Sequence, residues 1–236
     1  MNIGIKAEER AAIYEMLASC YLILPTKDQI LRLPELLKEA AYIIPEADFT
    51  ELVSEAETRY NNILESDEYI QLYTQEFYDH FLVTTTQHFI PAYESAIRKE
   101  KTASFSNKKG NKQKYNSLWR HETQHVLACY NSVGFNPNRL NLYHVIKEKN
   151  VPDYFGLELA FMAYLCASEQ RSPNAWQTWR NLQIEFLTDH LYHFVNDFDE
   201  LAQMKANPYY KALAKATKSF VTAEFQQQKL GGDGLE

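Results

Sequence analysis

Glycine is scarce in this sequence, with 7 residues among 236. Tight turns between β-strands call for positive φ angles, which glycine adopts at the lowest cost. No Asn-Gly hairpin signal is present, and the best β candidate, Leu82-Val-Thr-Thr-Thr86, is a short run. The sequence therefore disfavours an architecture built from strands and hairpins.

Cysteine is also rare, and Cys20, Cys129 and Cys166 lie far apart within apolar helical patterns. An odd number at such spacing argues against a disulfide framework and predicts reduced, buried thiols. Long hydrophobic runs are missing too, since none approaches the roughly 18 residues of a membrane span. The N-terminal residues carry charges where a signal peptide needs an apolar core. We therefore expect a cytoplasmic protein with no membrane span.

Basic residues are fewer than acidic ones: the sequence has 24 Lys and Arg and 31 Asp and Glu, which gives a formal net charge of −7. An acidic surface repels the phosphates of nucleic acids and anionic lipids, so we expect no nucleic-acid partner. The exception is the segment from Arg98 to Lys114, which holds seven basic residues and one Glu. This segment is either a contact for an acidic partner or a solvated loop.

Apolar residues are plentiful, at 45%, and include 16 Tyr and 13 Phe, so a sizeable core can be buried. Many recur at the spacing i, i+3, i+4, i+7 of one helix face. Start signals agree with this periodicity: Asp48 and Glu51 form a candidate capping box, and Ser172-Pro173 and Asn207-Pro208 each offer an N-cap before a first-turn proline.

These signals predict an all-α protein. The predicted helices lie near residues 6–24, 28–43, 49–65, 67–81, 115–133, 139–149, 154–170, 173–195 and 208–228. We expect residues 1–228 to form a single helical bundle of about nine to eleven helices, with a long irregular connection at 82–114. Residues 229–236 are expected to form a disordered tail.

The stretch His121-Glu-Thr-Gln-His125 matches the H-E-x-x-H pattern of zinc peptidases. On a helix the two imidazoles lie one turn apart, and Glu122 beside them is the candidate general base. Catalytic zinc also needs a third protein ligand, for which Glu148 and Glu158 are candidates by position, although neither has a supporting motif. Two interpretations stay open: a zinc-dependent hydrolase using His121, Glu122 and His125, or imidazoles at the surface beside an apolar stripe.

Three further stretches carry more information when they are taken together in chain order. The first is Glu76-Phe-Tyr-Asp-His-Phe81 followed by Ile90-Pro-Ala-Tyr-Glu-Ser95, and the second is Val151-Pro-Asp-Tyr-Phe-Gly-Leu-Glu158-Leu-Ala-Phe-Met162. The third is Phe186-Leu-Thr-Asp-His190-Leu, followed by Asn207-Pro-Tyr-Tyr210. Their order and spacing resemble the TorD/DmsD/NarJ family of cytoplasmic chaperones for molybdoenzymes, over about residues 60–225. The resemblance implies a TorD-like helical bundle.

The same resemblance implies a chaperone and not an enzyme, with no cofactor of its own. The implied partner is the precursor of a molybdopterin-containing oxidoreductase, bound through its twin-arginine leader, its apo-enzyme or both, so that cofactor insertion is assisted and proofread before export. A leader with two arginines and an apolar stretch calls for carboxylates and an aromatic trough. The implied leader-binding residues are Glu76, Phe77, Phe81, Tyr93, Glu94, Ser95, Asp153, Tyr154, Phe155 and Glu158, with Asp79 as a further carboxylate.

Several of these residues also have a purely structural interpretation. Asp153 is a good N-cap for the predicted helix 154–170, and Gly156 in its first turn permits a close approach of another helix. Glu158 lies beside a core stripe, where a buried carboxylate would need partners, so we expect it to be half exposed.

Three positions depart from the pattern of the family. Tyr154 stands where the family has a histidine, His80 stands where leucine is usual, and Tyr93 replaces a tryptophan. Because tyrosine does not titrate near neutral pH, leader binding is expected to differ or to shift towards the mature part of the client, whose identity stays open. The chain is expected to be a monomer or a domain-swapped dimer, hinged at 82–114 or near 134–138.

Overall fold

The computed structural model describes residues 5–98 and 120–232, and within these ranges the protein is all-α, as predicted. The helices are α1 (Ala7–Leu22), α2 (Lys27–Ile43), α3 (Thr50–Glu65), α4 (Tyr69–Phe81), α5 (Glu94–Ile97), α6 (His121–Ser132), α7 (His144–Lys149), α8 (Phe155–Arg171), α9 (Trp176–Phe186), α10 (Tyr192–Lys205) and α11 (Pro208–Gly232). Their number agrees with the prediction. Short 3-10 turns lie at Pro137–Arg139 and Pro173–Ala175, and a π-helical turn at Leu187–Leu191 joins α9 to α10.

The bundle is organised around the pairing of α1 with α8. Helix α8 also contacts α9, α10 packs along α11, and α11 lies against α3, which pairs with α2. Gly156 allows α8 to start very close to the end of α1, as predicted. A Cβ atom at this position would lie 2.8 Å from Leu22 Cδ2 and 3.0 Å from Tyr21 Cβ. The ring of Tyr21 then meets Phe155 at 4.9 Å between centroids, in the middle of an aromatic core.

A buried ion network crosses the bundle near the N-terminal end of α1. Arg10 is 1% exposed and donates to Glu169 on α8 at 2.5 Å, to Gln183 on α9 at 2.6 Å and to Glu224 on α11 at 3.1 Å. Gln183 also donates to Glu169 at 2.8 Å. A buried guanidinium is tolerated because two carboxylates and an amide oxygen surround it. One side chain therefore links helices from four different parts of the chain.

Helix starts agree with the sequence signals in one case and differ in two. Asn207 Oδ1 accepts the Tyr210 N–H at 3.0 Å, as an N-cap should. The capping box is wrong, because Asp48 Oδ1 accepts the N–H of Thr50 while Glu51 pairs with a lysine of α11. Ser172 precedes a 3-10 turn and makes no side-chain cap.

The largest difference in helix length concerns the predicted helix 173–195. The structure continues through the π-helical turn to the end of α10 at Lys205. The extension contains the polar pair Asn196-Asp197, but Phe198, Leu201 and Ala202 are buried. Burial of this apolar face sustains the helix in spite of the polar residues between.

The remaining predicted segments fall partly outside the described residues. Within the predicted irregular connection the structure forms the short helix α5, and α11 reaches Gly232, inside the predicted tail. Residues 99–119, which hold most of the basic segment and the predicted start of helix 115–133, lie outside the described residues. Every helix in the described ranges is too short or too polar to cross a membrane.

Candidate functional site

The Tyr-Glu-Ser and Pro-Asp-Tyr stretches of the sequence lie side by side in the structure. The Phe155 N–H donates to the Ala92 carbonyl at 2.9 Å, and the Glu94 N–H donates to the Asp153 carbonyl at 2.9 Å. Between them Tyr93 and Tyr154 form an isolated β-bridge. These backbone bonds fasten the start of α5 to the start of α8, so two segments that are distant in sequence form one rigid frame.

Asp153 strengthens this frame in a way that differs from the prediction. Its Oδ2 accepts the Ser95 N–H at 2.8 Å, so the carboxylate caps α5 across the chain. Helix α8 has Tyr154 at its N-cap position, and the prediction that Asp153 caps this helix is therefore wrong. Burial raises the pKa of Asp153, while the hydrogen bond from the Ser95 N–H opposes the rise.

Glu94 is the centre of the site and is fully buried. Its Oε1 accepts from Arg98 Nη1 at 2.5 Å, and its Oε2 lies 2.7 Å from His190 Nδ1. Arg98 also donates to the Asp189 carbonyl at 2.8 Å, in the π-helical turn. Glu94 therefore joins α5 to the junction of α9 and α10 and is neutralised by two basic partners. We call Glu94, Arg98, Asp153, Glu158 and His190 the Glu94 cluster.

Glu158 lies beside this centre on α8, and it is buried where half exposure was expected. Neither of its carboxyl oxygens has a hydrogen-bond partner in the described ranges. Burial raises the pKa of Glu158 well above its usual range, and the neighbouring Glu94 and Asp153 raise it further. Burial and the neighbouring carboxylates therefore favour the protonated, neutral form of this group. The predicted half-exposed position of Glu158 is wrong because α8 turns this face inwards.

His190 faces Glu94 on one side and α6 on the other. His190 Nε2 lies 2.6 Å from His125 Nδ1, and the two rings stack with centroids 4.9 Å apart. Burial lowers the pKa of His190, but interactions with Cys129 and Glu94 outweigh it and raise the pKa to about 9. An imidazolium at this position can donate to both Glu94 and His125, which matches the two short contacts.

The H-E-x-x-H stretch lies on α6, but its two histidines have different environments. His121 is exposed, and its ring lies 6.0 Å from that of His125 between centroids. His125 also lies at the surface, but its Nδ1 is turned towards Nε2 of the buried His190. Among the described residues, neither Glu148 nor Glu158 joins His121 and His125 in a group of metal-ligating atoms. The description of both histidines as surface imidazoles therefore holds, with the addition that His125 contacts His190.

The aromatic residues of the implied leader trough belong to the core. Phe77, Phe81, Tyr93, Tyr154 and Phe155 are all buried. The hydroxyl of Tyr154 donates to the Tyr21 carbonyl at 2.9 Å, so the residue in place of the family histidine anchors the frame to α1.

The first motif stretch contacts α3 and α11. Glu76 is half exposed and pairs with Arg59 of α3, whose guanidinium lies 3.5 Å from the Tyr209 ring centroid. His80 is buried; its Nδ1 lies 2.6 Å from the Glu76 carbonyl, and its Nε2 accepts the Asn207 N–H at 3.0 Å. The stretch thus holds α4 against the start of α11.

Sequence reasoning assigned no site role to Arg98, Cys129 and His190. All three cysteines are free, and Cys20 and Cys166 are buried as predicted. Cys129 is half buried, however, and follows His125 by one helical turn. The H-x-x-x-C spacing could have predicted that His125 and Cys129 lie together, since residues four apart share a helix face. The proximity of His190 depends on the tertiary fold and has no local signal.

Comparison with known proteins adds one finding to this geometry. A family model described as nitrate reductase delta subunit matches residues 46–200, which is more than half of the chain and includes the whole Glu94 cluster. No curated protein and no solved structure matches the chain. The three motif stretches that form the frame and its surroundings lie within or beside the matched span. The chain therefore belongs to the nitrate reductase delta subunit family, the NarJ/TorD-like chaperones of molybdoenzyme maturation.

Proposed function

We propose that the chain is a cytoplasmic chaperone for the precursor of a molybdopterin-containing oxidoreductase. It binds the twin-arginine leader, the apo-enzyme or both, assists cofactor insertion and proofreads the product before export. The observation that carries this proposal is the family match over residues 46–200, which contains every member of the Glu94 cluster. The chaperone performs no bond chemistry on its client in this proposal.

The exposure of the implied binding residues decides which of them can contact a client and which support the fold. Glu94, Asp153 and Glu158 are each 0% exposed, so a leader peptide cannot reach them without opening the frame. Their role is to hold the starts of α5 and α8 together, with Ser95, Tyr93, Tyr154 and Phe155 as part of the same support. Glu76 and Asp79 are half exposed and are the implied carboxylates that a client arginine can approach.

An apolar groove between α1 and α8 supports the binding of the apolar part of a leader. It has a volume of about 440 Å³ and extends to the segment 135–141. Its lining is rich in small and apolar side chains: Ala11, Ala18, Leu22, Ile23, Phe135, Leu140, Ala160, Ala163, Tyr164 and Ala167. Small residues let another backbone approach closely, and apolar walls favour an amphipathic or apolar segment.

The groove is connected to the frame and has charged groups at its edge. Leu22, which lines it, also touches Gly156 at the start of α8. Glu15 and Arg171 are exposed charged residues of the lining, and the carboxylate of Glu15 is suited to a client arginine. We therefore assign the apolar stretch of the leader to the groove and one of its arginines to Glu15.

Affinity capture of the full chain from its own cells, grown without oxygen, tests the proposal. We expect mass spectrometry to find an unprocessed molybdoenzyme precursor with its twin-arginine leader intact. Capture of the mature part without any leader contact would restrict the proposal to the apo-enzyme. Absence of every molybdoenzyme precursor from the captured material would overturn it.

A further inference from the structure

Three metal-ligating side chains converge next to the Glu94 cluster. His125, Cys129 and His190 each offer one ligand atom, and these atoms all lie within 4.8 Å of one another. Two of them come from successive turns of α6, and the third comes from the π-helical turn between α9 and α10. Such π-turns often occur at functional positions because they shift side chains out of regular register.

The chemistry of these three residues fits zinc. One thiolate and two neutral imidazoles are donors that tetrahedral zinc prefers, at bond lengths of about 2.0–2.1 Å to nitrogen and about 2.3 Å to sulfur. Tetrahedral geometry then separates the donor atoms by roughly 3.3–3.6 Å. The nitrogens of His125 and His190 stand 2.6 Å apart and would need to separate by less than one ångström, a shift within the reach of side-chain rotation.

The surroundings hold one of the ligands in a suitable orientation. Glu94 Oε2 lies 2.7 Å from His190 Nδ1, so Nδ1 donates to the carboxylate, and Nε2 faces the other two donors once zinc has displaced its proton. Arg98 fixes the same carboxylate from its other oxygen. A carboxylate behind a metal-bound histidine is a frequent arrangement, because it sets the tautomer and strengthens the ligand.

We infer that His125, Cys129 and His190 form a zinc-binding site, with Glu94 positioning His190 and a fourth coordination position left for water or a side chain of a partner. This site shares one histidine with the H-E-x-x-H pattern but does not use His121, whose exposed ring stacks on the outer side of His125. Zinc would tie α6 to the α9–α10 junction. The inference stands independently of the client.

Metal analysis of the untagged full chain, purified without chelators, is the first test. We expect about one zinc per chain. The zinc-free protein should then bind Co²⁺ with a sulfur-to-cobalt charge-transfer absorption, together with the intense visible bands of four-coordinate cobalt. Protein that neither retains zinc nor gives the charge-transfer absorption would overturn the inference, and copper in place of zinc would overturn the choice of metal.

Matched variants on α6 separate this site from the peptidase pattern. Cys129→Ala should abolish the charge-transfer absorption and lower zinc affinity at least tenfold, whereas His121→Ala should leave both unchanged. Both positions are at least partly exposed, so the variants should fold, which circular dichroism checks. His190→Gln is expected to lower zinc affinity as well. Loss of zinc in His121→Ala with retention in Cys129→Ala would assign the metal to the H-E-x-x-H pattern and overturn the inference.

Discussion

At the scale of single residues, two neighbouring buried carboxyl groups have different environments. Glu94 has Arg98 and His190 within hydrogen-bonding distance, and these two groups compensate a buried negative charge. Among the residues that the structure describes, Glu158 has no hydrogen-bond partner, and burial raises its pKa well above the usual range. An ionised, unpaired carboxylate at this depth would cost several kcal/mol, so the group takes up a proton. The difference arises from contacts and not from residue type.

His80 makes the stability of the fold depend on pH. Burial lowers the pKa of His80, and its Nε2 accepts the Asn207 N–H as a neutral imidazole. The unfolded chain binds a proton at the ordinary pKa of 6.5, above the folded value. The contribution of His80 is therefore complete above pH 6.5 and is lost as the pH falls below it.

His80→Leu tests this dependence with the residue that is usual in the family. At pH 8 the variant should be about 1–2 kcal/mol less stable than the wild type, because it loses two hydrogen bonds. At pH 5 the difference should shrink, since leucine does not titrate. Urea unfolding at the two pH values measures both differences, with His121→Ala as the control that keeps the wild-type pH profile. If His80→Leu lost the same free energy of unfolding at both pH values, His80 would not be the source of the pH dependence.

At the scale of helices, the sequence predicts what is local and misses what depends on distant partners. Apolar periodicity located the helices, because a buried stripe on a helix must recur every three to four residues. It could not locate the π-helical turn at Leu187–Leu191, whose residues continue the same helical pattern. Asp153 followed a proline and so looked like a cap for α8, but the N–H that it accepts belongs to Ser95. Pairings of this kind are set by the tertiary fold.

The groove between α1 and α8 gives a prediction at the same scale. Ala163 lines the groove, so Ala163→Glu would place a carboxylate against an apolar client segment. We expect the variant to capture at least about tenfold less precursor than the wild type, which corresponds to about 1.4 kcal/mol of binding free energy. Quantitative mass spectrometry of captured material measures the ratio.

Ala12→Glu is the matched control for this experiment. Ala12 is an exposed alanine of α1 that faces away from the groove, towards α2. The control adds the same charge to the protein, so a nonspecific effect of charge would weaken both variants equally. Equal capture by Ala163→Glu and the wild type would remove the groove from the proposed function and leave the family assignment intact.

At the scale of the whole molecule, the folded core includes helices that lie outside the residues matched by the family model. Helices α1 and α11 lie outside the matched residues 46–200. Yet α1 packs along α8, and the Tyr14 ring of α1 meets Phe220 of α11 at 4.7 Å between centroids. Both helices therefore complete the core on which the frame of the Glu94 cluster rests.

Replacement of Arg10 tests how much α1 and α11 contribute to the stability of the core. It joins α1 to Glu169 of α8 and Glu224 of α11, and removal of the guanidinium would leave both carboxylates buried without it. Arg10→Ala should therefore lower the free energy of unfolding by about 3–5 kcal/mol.

Arg32→Ala provides the contrast, because Arg32 forms an exposed ion pair with Asp28 on α2, with 75% of its side chain accessible. Its loss should cost at most about 1 kcal/mol. Urea unfolding of the two variants, monitored by both circular dichroism and tryptophan fluorescence, measures the loss in the free energy of unfolding for each. If the terminal helices and the matched region form one cooperative unit, both probes will shift together in Arg10→Ala. A shift confined to one probe, or similar costs for Arg10→Ala and Arg32→Ala, would mean that α1 and α11 are attached to a core that is already stable without them.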